Sequence, residues 1–423
     1  MAKEREGRTD IRAKLQAAGY RLVQLDPKID RYSNRRLDAL AYAANADGDL
    51  VPWLAVEVKN GANIKPAVML SQLRKWRELL GTVEHYGVIN GQWFRADRSM
   101  RSMDPVAGPE NPAYGDFGFL TDPSLATSLL MDRLWFEAEK ARDKGHPVGF
   151  FFPPADLLAQ TPVPGIETAS GDFLPVRHDV LWKARRRALA SFALRAPHPG
   201  EHTTAPVIAD AVGSLTGKKL GGTVLDPFCG TGNFLWAAMD RARELDGPVE
   251  FVGQEINTQL AELAEQIART APARARITTG DSYNMKLPEA DIIVTAPPFG
   301  RLQQPWTLLT GVPARDFEVA AIDLCLRKLR PGGRAVFLLP NNITFSQSLE
   351  SYRRYLASEY RVGALIGLPA GALEGTIIRV VLLVIDRAEP GETFVAQLGE
   401  DWAAQLSETG AAMNAALEHL DGE

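Results

Sequence analysis

"VLDPFCGTGNFL", residues 224–235, passes from apolar residues to an acid, then through a glycine turn into a helical run. Asp226 stands where a strand ends, and Gly230 and Gly232 fall in the turn after it. Glycine lets a backbone approach a ligand closely, and in open α/β sheets ligands collect at the carboxyl ends of strands, where strand order reverses. A glycine turn is also an ordinary strand-to-helix connection, so its neighbours have to distinguish the two. "FVGQEI" ends near Glu255, where a carboxylate suits both hydroxyls of a ribose, and "ARITTGD" ends on Asp281, suited to an adenine edge. Three successive strands ending in acids favour a nucleotide cradle. The spacing is neither a GxGxxG dinucleotide fingerprint nor a P-loop, since no GK[ST] follows.

Outward from this stretch, residues 198–387 alternate strand and helix: "NFLWAAMDRAREL", "TQLAELAEQIART" and "DFEVAAIDLCLRKL" read as helices between apolar strands. Such alternation predicts a mostly parallel, doubly wound sheet. Residues 388–423 form an acidic tail expected to be one helix. The chain of 423 residues has room for two or three domains, with 45% hydrophobic and 23% charged residues. No apolar run reaches membrane-spanning length, and "MAKEREGRTD" is charged where a signal peptide would turn hydrophobic, so a cytoplasmic protein without membrane partners is expected. Cys229 and Cys325 are too few and too distant for a disulfide framework or a metal site.

Charge is uneven. Residues 1–105 carry 18 Lys/Arg against 13 Asp/Glu, and the remainder 29 against 39. A basic module beside an acidic one fits phosphate contact by the first. Within it, "TDIRAKLQAAGYRL" reads as a helix capped by Thr9, "RRLDALAYAANADGDLVPWLAVEVKNGA" as two strands around a turn, "AVMLSQLRKWRELLG" as a helix, and "HYGVINGQWFRAD" as a strand pair. Asp38 on the first hairpin strand and Glu57 and Lys59 on the second would face the same way. That arrangement suits Mg2+ held by Asp38 and Glu57, with the lysine positioning water, although an Asp and a Glu-x-Lys on a hairpin also arise by accident. Residues 106–197, rich in Pro and Gly around one helix, read as a connecting region.

The fourth strand of the alternating region runs into "VTAPPFGR", residues 294–301. In order, "DPFCGTGNFL", "GQEIN", "GDS", "PPFG" and "LRPGGRAVFLLPNNITF" resemble the amino-group, adenine-N6 DNA methyltransferases, nearest to the modification subunit of type I restriction-modification systems. The resemblance implies a Rossmann-like class I S-adenosylmethionine-dependent methyltransferase fold over residues 198–387. It assigns Asp226, Gly230 and Gly232 to the methionine part of S-adenosylmethionine, Glu255 to the ribose, Asp281 and Ser282 to the adenine, and Phe228 to the pocket wall. "GEHTTAPVIADAV", which includes Thr204, resembles the family's lead-in helix closing over the cofactor. DNA is the implied substrate, with a specificity or translocase subunit as partner. About 36 residues follow Arg387, fewer than a base-reading domain needs, so base readout is expected from that partner.

In the family the fourth-strand motif is Asn or Asp, Pro, Pro, aromatic; here it is Ala296, Pro297, Pro298 and Phe299. An exocyclic amine, its lone pair delocalised into the ring, is a poor nucleophile, and two hydrogen-bond acceptors localise that pair. Alanine removes one, a loss on the order of a hundredfold in rate. Three readings follow: transfer with a replacement acceptor such as Thr295 or a loop residue; a scaffold that binds cofactor and nucleic acid without transfer; or a non-DNA amino group as substrate. Asp38, Glu57 and Lys59, with Gln72 in "SQLRKW", resemble the PD-(D/E)xK nuclease superfamily. The resemblance implies a smaller N-terminal α/β nuclease-like domain over residues 1–105, with Glu4 or Asp10 as candidates for a further carboxylate.

Overall fold

The computed structural model describes residues 2–27, 37–114, 118–143, 164–168, 171–193, 204–243, 248–269, 271–373 and 377–422. The chain divides into two units, Met1–Arg185 and Arg186–Glu423.

In the first unit, α1 (Ala2–Ala17) leads into β1 (Leu22–Leu25), β2 (Ala39–Ala44) and β3 (Asp49–Lys59). The "NADGD" turn between β2 and β3 is held by Asn45, whose Oδ1 accepts the backbone N–H groups of Asp47 and Asp49, both at 2.9 Å. Every residue of β2 is buried, so it reads as a continuous apolar run. From β3 the chain crosses over through α2 (Leu70–Leu80) to β4 (Glu84–Ile89), which lies parallel to β3. Asn90 and Gly91, both with positive φ, turn it back into β5 (Gln92–Ala96), and β6 (Met103–Val106) follows. The sheet order is β1-β2-β3-β4-β5-β6.

Residues 106–197, expected as a connector, contribute β7 (Phe119–Leu120), α3 (Pro123–Asp143), β8 (Gly165–Glu167), β9 (Phe173–Pro175) and α4 (His178–Ala193). β7 pairs with the first residues of β3, and Ala126, Leu129, Ile166, Leu174 and Val180 join a core with Leu40, Leu73 and Trp76. Their apolar side chains are buried with this core, so the unit boundary falls inside α4, not at residue 105. Its Pro- and Gly-rich segment 144–163 lies outside the described residues.

The second unit runs α5 (Pro206–Leu215), β10 (Gly222–Asp226), α6 (Asn233–Ala242), β11 (Val249–Glu255), α7 (Thr258–Ala268), β12 (Ala275–Thr279) and β13 (Ala290–Thr295). A hairpin of β14 (Arg301–Thr307) and β15 (Pro313–Asp316) then precedes α8 (Phe317–Lys328) and β16 (Leu329–Pro340). After α9 (Asn342–Phe345) and α10 (Glu350–Glu359) come β17 (Arg361–Gly367) and β18 (Val380–Asp386). With β19 (Phe394–Gln397) at the far edge, the strand order is β12-β11-β10-β13-β16-β18-β17-β19, parallel through β16, with β18 antiparallel to both neighbours. This is the class I methyltransferase arrangement, and its order reverses between β10 and β13.

The tail is not one helix. It forms β19 (Phe394–Gln397), α11 (Trp402–Leu406) and α12 (Ala411–Asp421), and the two helices are separated at Gly410. A Cβ at Gly410 would sit 2.1 Å from the Gln405 carbonyl oxygen, a contact only glycine avoids. The tail is anchored in the unit's interior: fully buried Arg334 binds Asp386 at 2.7 Å and reaches Asp421 at 3.0 Å.

Candidate active site

The parallel strands β10, β11, β12 and β13 bring their terminal residues to the same edge of the sheet, because parallel strands share one carboxyl end. There a cleft of about 970 Å³ is lined by Thr204, Asp226, Phe228, Gly230, Glu255, Asp281 and Ser282, and by Ala296, Pro297, Pro298 and Phe299. Gly232 does not line it. That glycine caps α6 at φ +86°, and a Cβ there would meet the buried Trp236 ring at 2.4 Å. Gly230, at φ +54°, has nothing within 4 Å of a Cβ position and leaves its side of the turn open. Residues 200–203 of the lead-in lie outside the described residues.

Asp226 is buried at the end of β10. The Thr295 hydroxyl on β13 donates to its Oδ1 at 2.7 Å, and the Phe228 N–H donates to the same oxygen at 3.1 Å. Burial pushes its carboxyl up to about 7, the Glu255 charge adds to the rise, and the two hydrogen bonds oppose it. Thr295 is itself fully buried, with its hydroxyl directed at Asp226. Glu255 accepts the Gly230 N–H through one oxygen and the Asn257 N–H through the other, both at 2.8 Å. Each oxygen keeps a lone pair for a hydroxyl. Asp281 accepts the Tyr283 N–H at 3.0 Å, and Ser282 donates to the Pro227 carbonyl, joining the third strand's end to the first.

Phe228, expected in the pocket wall, is joined there by three aromatics that the motifs do not indicate. The Tyr283 ring lies 5.7 Å from Phe228, 5.1 Å from Trp306 and 5.3 Å from Phe317, in edge or tilted contacts. Tyr283 directly follows the "GDS" motif and could have been found there; Trp306 and Phe317 arrive through the β14–β15 hairpin, which motif order does not register.

In the first unit, Asp38 immediately precedes β2, one residue short of the strand expected to carry it. Its Oδ2 accepts the Val58 N–H at 2.7 Å, which places it beside β3. Glu57 is buried, accepts the Trp76 indole N–H at 2.7 Å, and lies 3.8 Å from the Lys59 ammonium. Burial raises its carboxyl to about 7; Trp76 and Lys59 oppose the rise, and Asp38 adds to it by charge and by a hydrogen bond. Asp38, Glu57 and Lys59 therefore come together. Gln72 sits half-buried on α2, and it is Trp76, one turn further on, that reaches Glu57. Asp10 pairs with Lys14 on the surface, and the Glu4 side chain lies outside the described residues. Among the described residues no group of three or more His, Cys, Asp or Glu is placed to hold a metal, and no helix is long and apolar enough to cross a membrane.

The sheet order and the acidic strand ends define a class I methyltransferase fold. The family model for N-6 DNA methylase matches residues 177–409, more than half the chain, and the chain belongs to that family. The Escherichia coli type I restriction enzyme EcoEI methylase subunit is 24% identical over 216 residues, covering 46% of this chain and 44% of that protein. The tRNA (guanine(10)-N2)-dimethyltransferase of Methanocaldococcus jannaschii is 29% identical over 164 residues, covering 38% and 44%. The chain thus spans less than half the length of either relative. The type I restriction-modification methyltransferase subunit from Streptococcus thermophilus superposes with a TM-score of 0.48 at 19% identity, over 58% of each chain.

A carboxyl raised above its ordinary value stabilises the folded protein in its acid form, an effect present below pH 4 and lost as pH rises through about 7. The ligand-free protein is therefore expected to melt at a lower temperature at pH 8 than at pH 5. Asp226→Asn should reduce that difference; an unchanged difference in thermal melts of the variant would show that Asp226 does not titrate in this range.

Proposed function

We propose that the second unit binds S-adenosylmethionine and methylates the N6 amino group of adenine in DNA, as the modification component of a restriction-modification or related phage-defence system that takes base readout from a partner subunit. What carries the reading is one cleft that joins the acids of three strand ends to the Ala-Pro-Pro-Phe turn of a fourth.

The residues present fit the cofactor. Gly230 leaves room for a ligand against the backbone, Glu255 has free lone pairs for two hydroxyls, and Asp226 supplies a buried negative charge once ionised. When bound, S-adenosylmethionine supplies an electrophilic methyl group on a cationic sulfur. A positive charge beside Asp226 favours the ionised carboxylate, so affinity should rise as pH passes through about 7. At the other end of the cleft, Phe299 offers a face for a base turned out of the duplex, and the Pro297 carbonyl offers one acceptor for its amino group.

For the first unit we propose a nuclease-like site in which Asp38 and Glu57 bind Mg2+, with Lys59 near the attacking water. Two carboxylates with waters completing the shell suit this ion, and metal binding would displace the proton that Glu57 holds near neutrality.

Incubation with methyl-labelled S-adenosylmethionine should place label in N6-methyladenine of unmodified DNA. Label on RNA alone would move the substrate, and cofactor binding without label on either would favour the scaffold reading. Mg2+-dependent cleavage of DNA should fall at least a hundredfold in Lys59→Ala, and cleavage equal to that of the parent protein would remove the lysine from the site.

A further inference from the structure

The β14–β15 hairpin lies between the Pro-Pro-Phe turn and α8, and its pairing is irregular. Arg301 pairs with Asp316 and Trp306 with Ala314, so Leu302–Pro305 on β14 face only Arg315 on β15. Such a bulge lets consecutive residues turn the same way, which a regular strand forbids. Here both Gln303 and Gln304 line the cleft. The bulge is tied on either side: Arg315 donates to the Gln303 carbonyl at 2.7 Å, and the Trp306 indole donates at 2.8 Å to the buried Asp323 of α8, which also accepts the Leu309 N–H.

From Ala296 onward, the described residues lining the cleft are Pro, Phe, Arg, Leu, Gln, Trp and Ala. Among their side chains only the two glutamine amides carry an acceptor atom, since arginine and tryptophan donate and the rest are apolar. Thr295, immediately before them, is fully buried. Resting on the reading of the cleft as a site for an amino-bearing base, we propose that the Gln303–Gln304 bulge supplies the hydrogen-bond acceptor that Ala296 lacks. One glutamine Oε1 accepts a hydrogen of the exocyclic amine while the Pro297 carbonyl accepts the other, and the amide N–H can donate to a ring nitrogen of the same base. An amide is the side chain that matches the donor and acceptor pattern of adenine. The acceptor function has moved from the strand end to the lip of the cleft.

The test needs no turnover. The full chain, with S-adenosylhomocysteine present, is titrated with deoxyadenosine monophosphate and with the purine nucleotide that lacks the amino group. The parent protein should bind the amino nucleotide about tenfold more tightly. Gln303→Leu/Gln304→Leu, checked for an unchanged melting temperature, should bind both alike, and adding Ala296→Asn should restore the preference. The single variants identify which amide acts, and Gln→Glu at that position should keep the preference because the acceptor remains. A double variant that still discriminates overturns the glutamine assignment and leaves the reading of the cleft intact. A parent protein that binds the two nucleotides equally overturns the reading itself.

Discussion

The hydrogen bond from Thr295 to Asp226 ties the end of β13 to the end of β10 at the point where strand order reverses. It does three things at once. It gives a buried carboxyl a second donor beside the Phe228 N–H, it fixes the residue immediately before Ala296, and it holds the cofactor half of the cleft in register with the reacting half. Ser282, bonded to the Pro227 carbonyl, repeats the device between the third strand's end and the first. The floor of the cleft is therefore a chain of short contacts among strand ends, and Ala296 sits in a backbone that is well determined although its own side chain accepts nothing.

The first unit uses a related device on a smaller sheet. Glu57 is buried, bonded to Trp76 and adjacent to Asp38 and Lys59. In both units burial raises a carboxyl to about 7. This shared physics links the two sites without requiring the same chemistry in them.

Much of the second unit was legible because its signals are local. Acids at the ends of apolar strands, the glycine turn after Asp226 and the Pro-Pro-Phe turn gave both the sheet and the composition of the cleft. What escaped depends on register or on distant partners. The buried direction of Thr295 follows from its pairing in the sheet, and the exposure of Gln303 and Gln304 together follows from a bulge that residue spacing does not reveal. Gly232 is absent from the cleft lining, and the Trp236 ring that a Cβ there would meet comes from the following helix. In the first unit the Asp38, Glu57 and Lys59 cluster was readable from strand alternation, whereas Trp76 was hidden on a helix whose facing is set only by tertiary contact. Segment 106–197 looked like a connector because its apolar residues find partners far away in sequence.

If the carboxyl ends of β10, β11 and β12 form the proposed site for S-adenosylmethionine, calorimetric titration of the full chain at pH 8 should show saturable binding of one S-adenosylmethionine per chain, abolished in Asp226→Ala. An Asp226→Ala variant that binds with unchanged affinity would place the cofactor elsewhere.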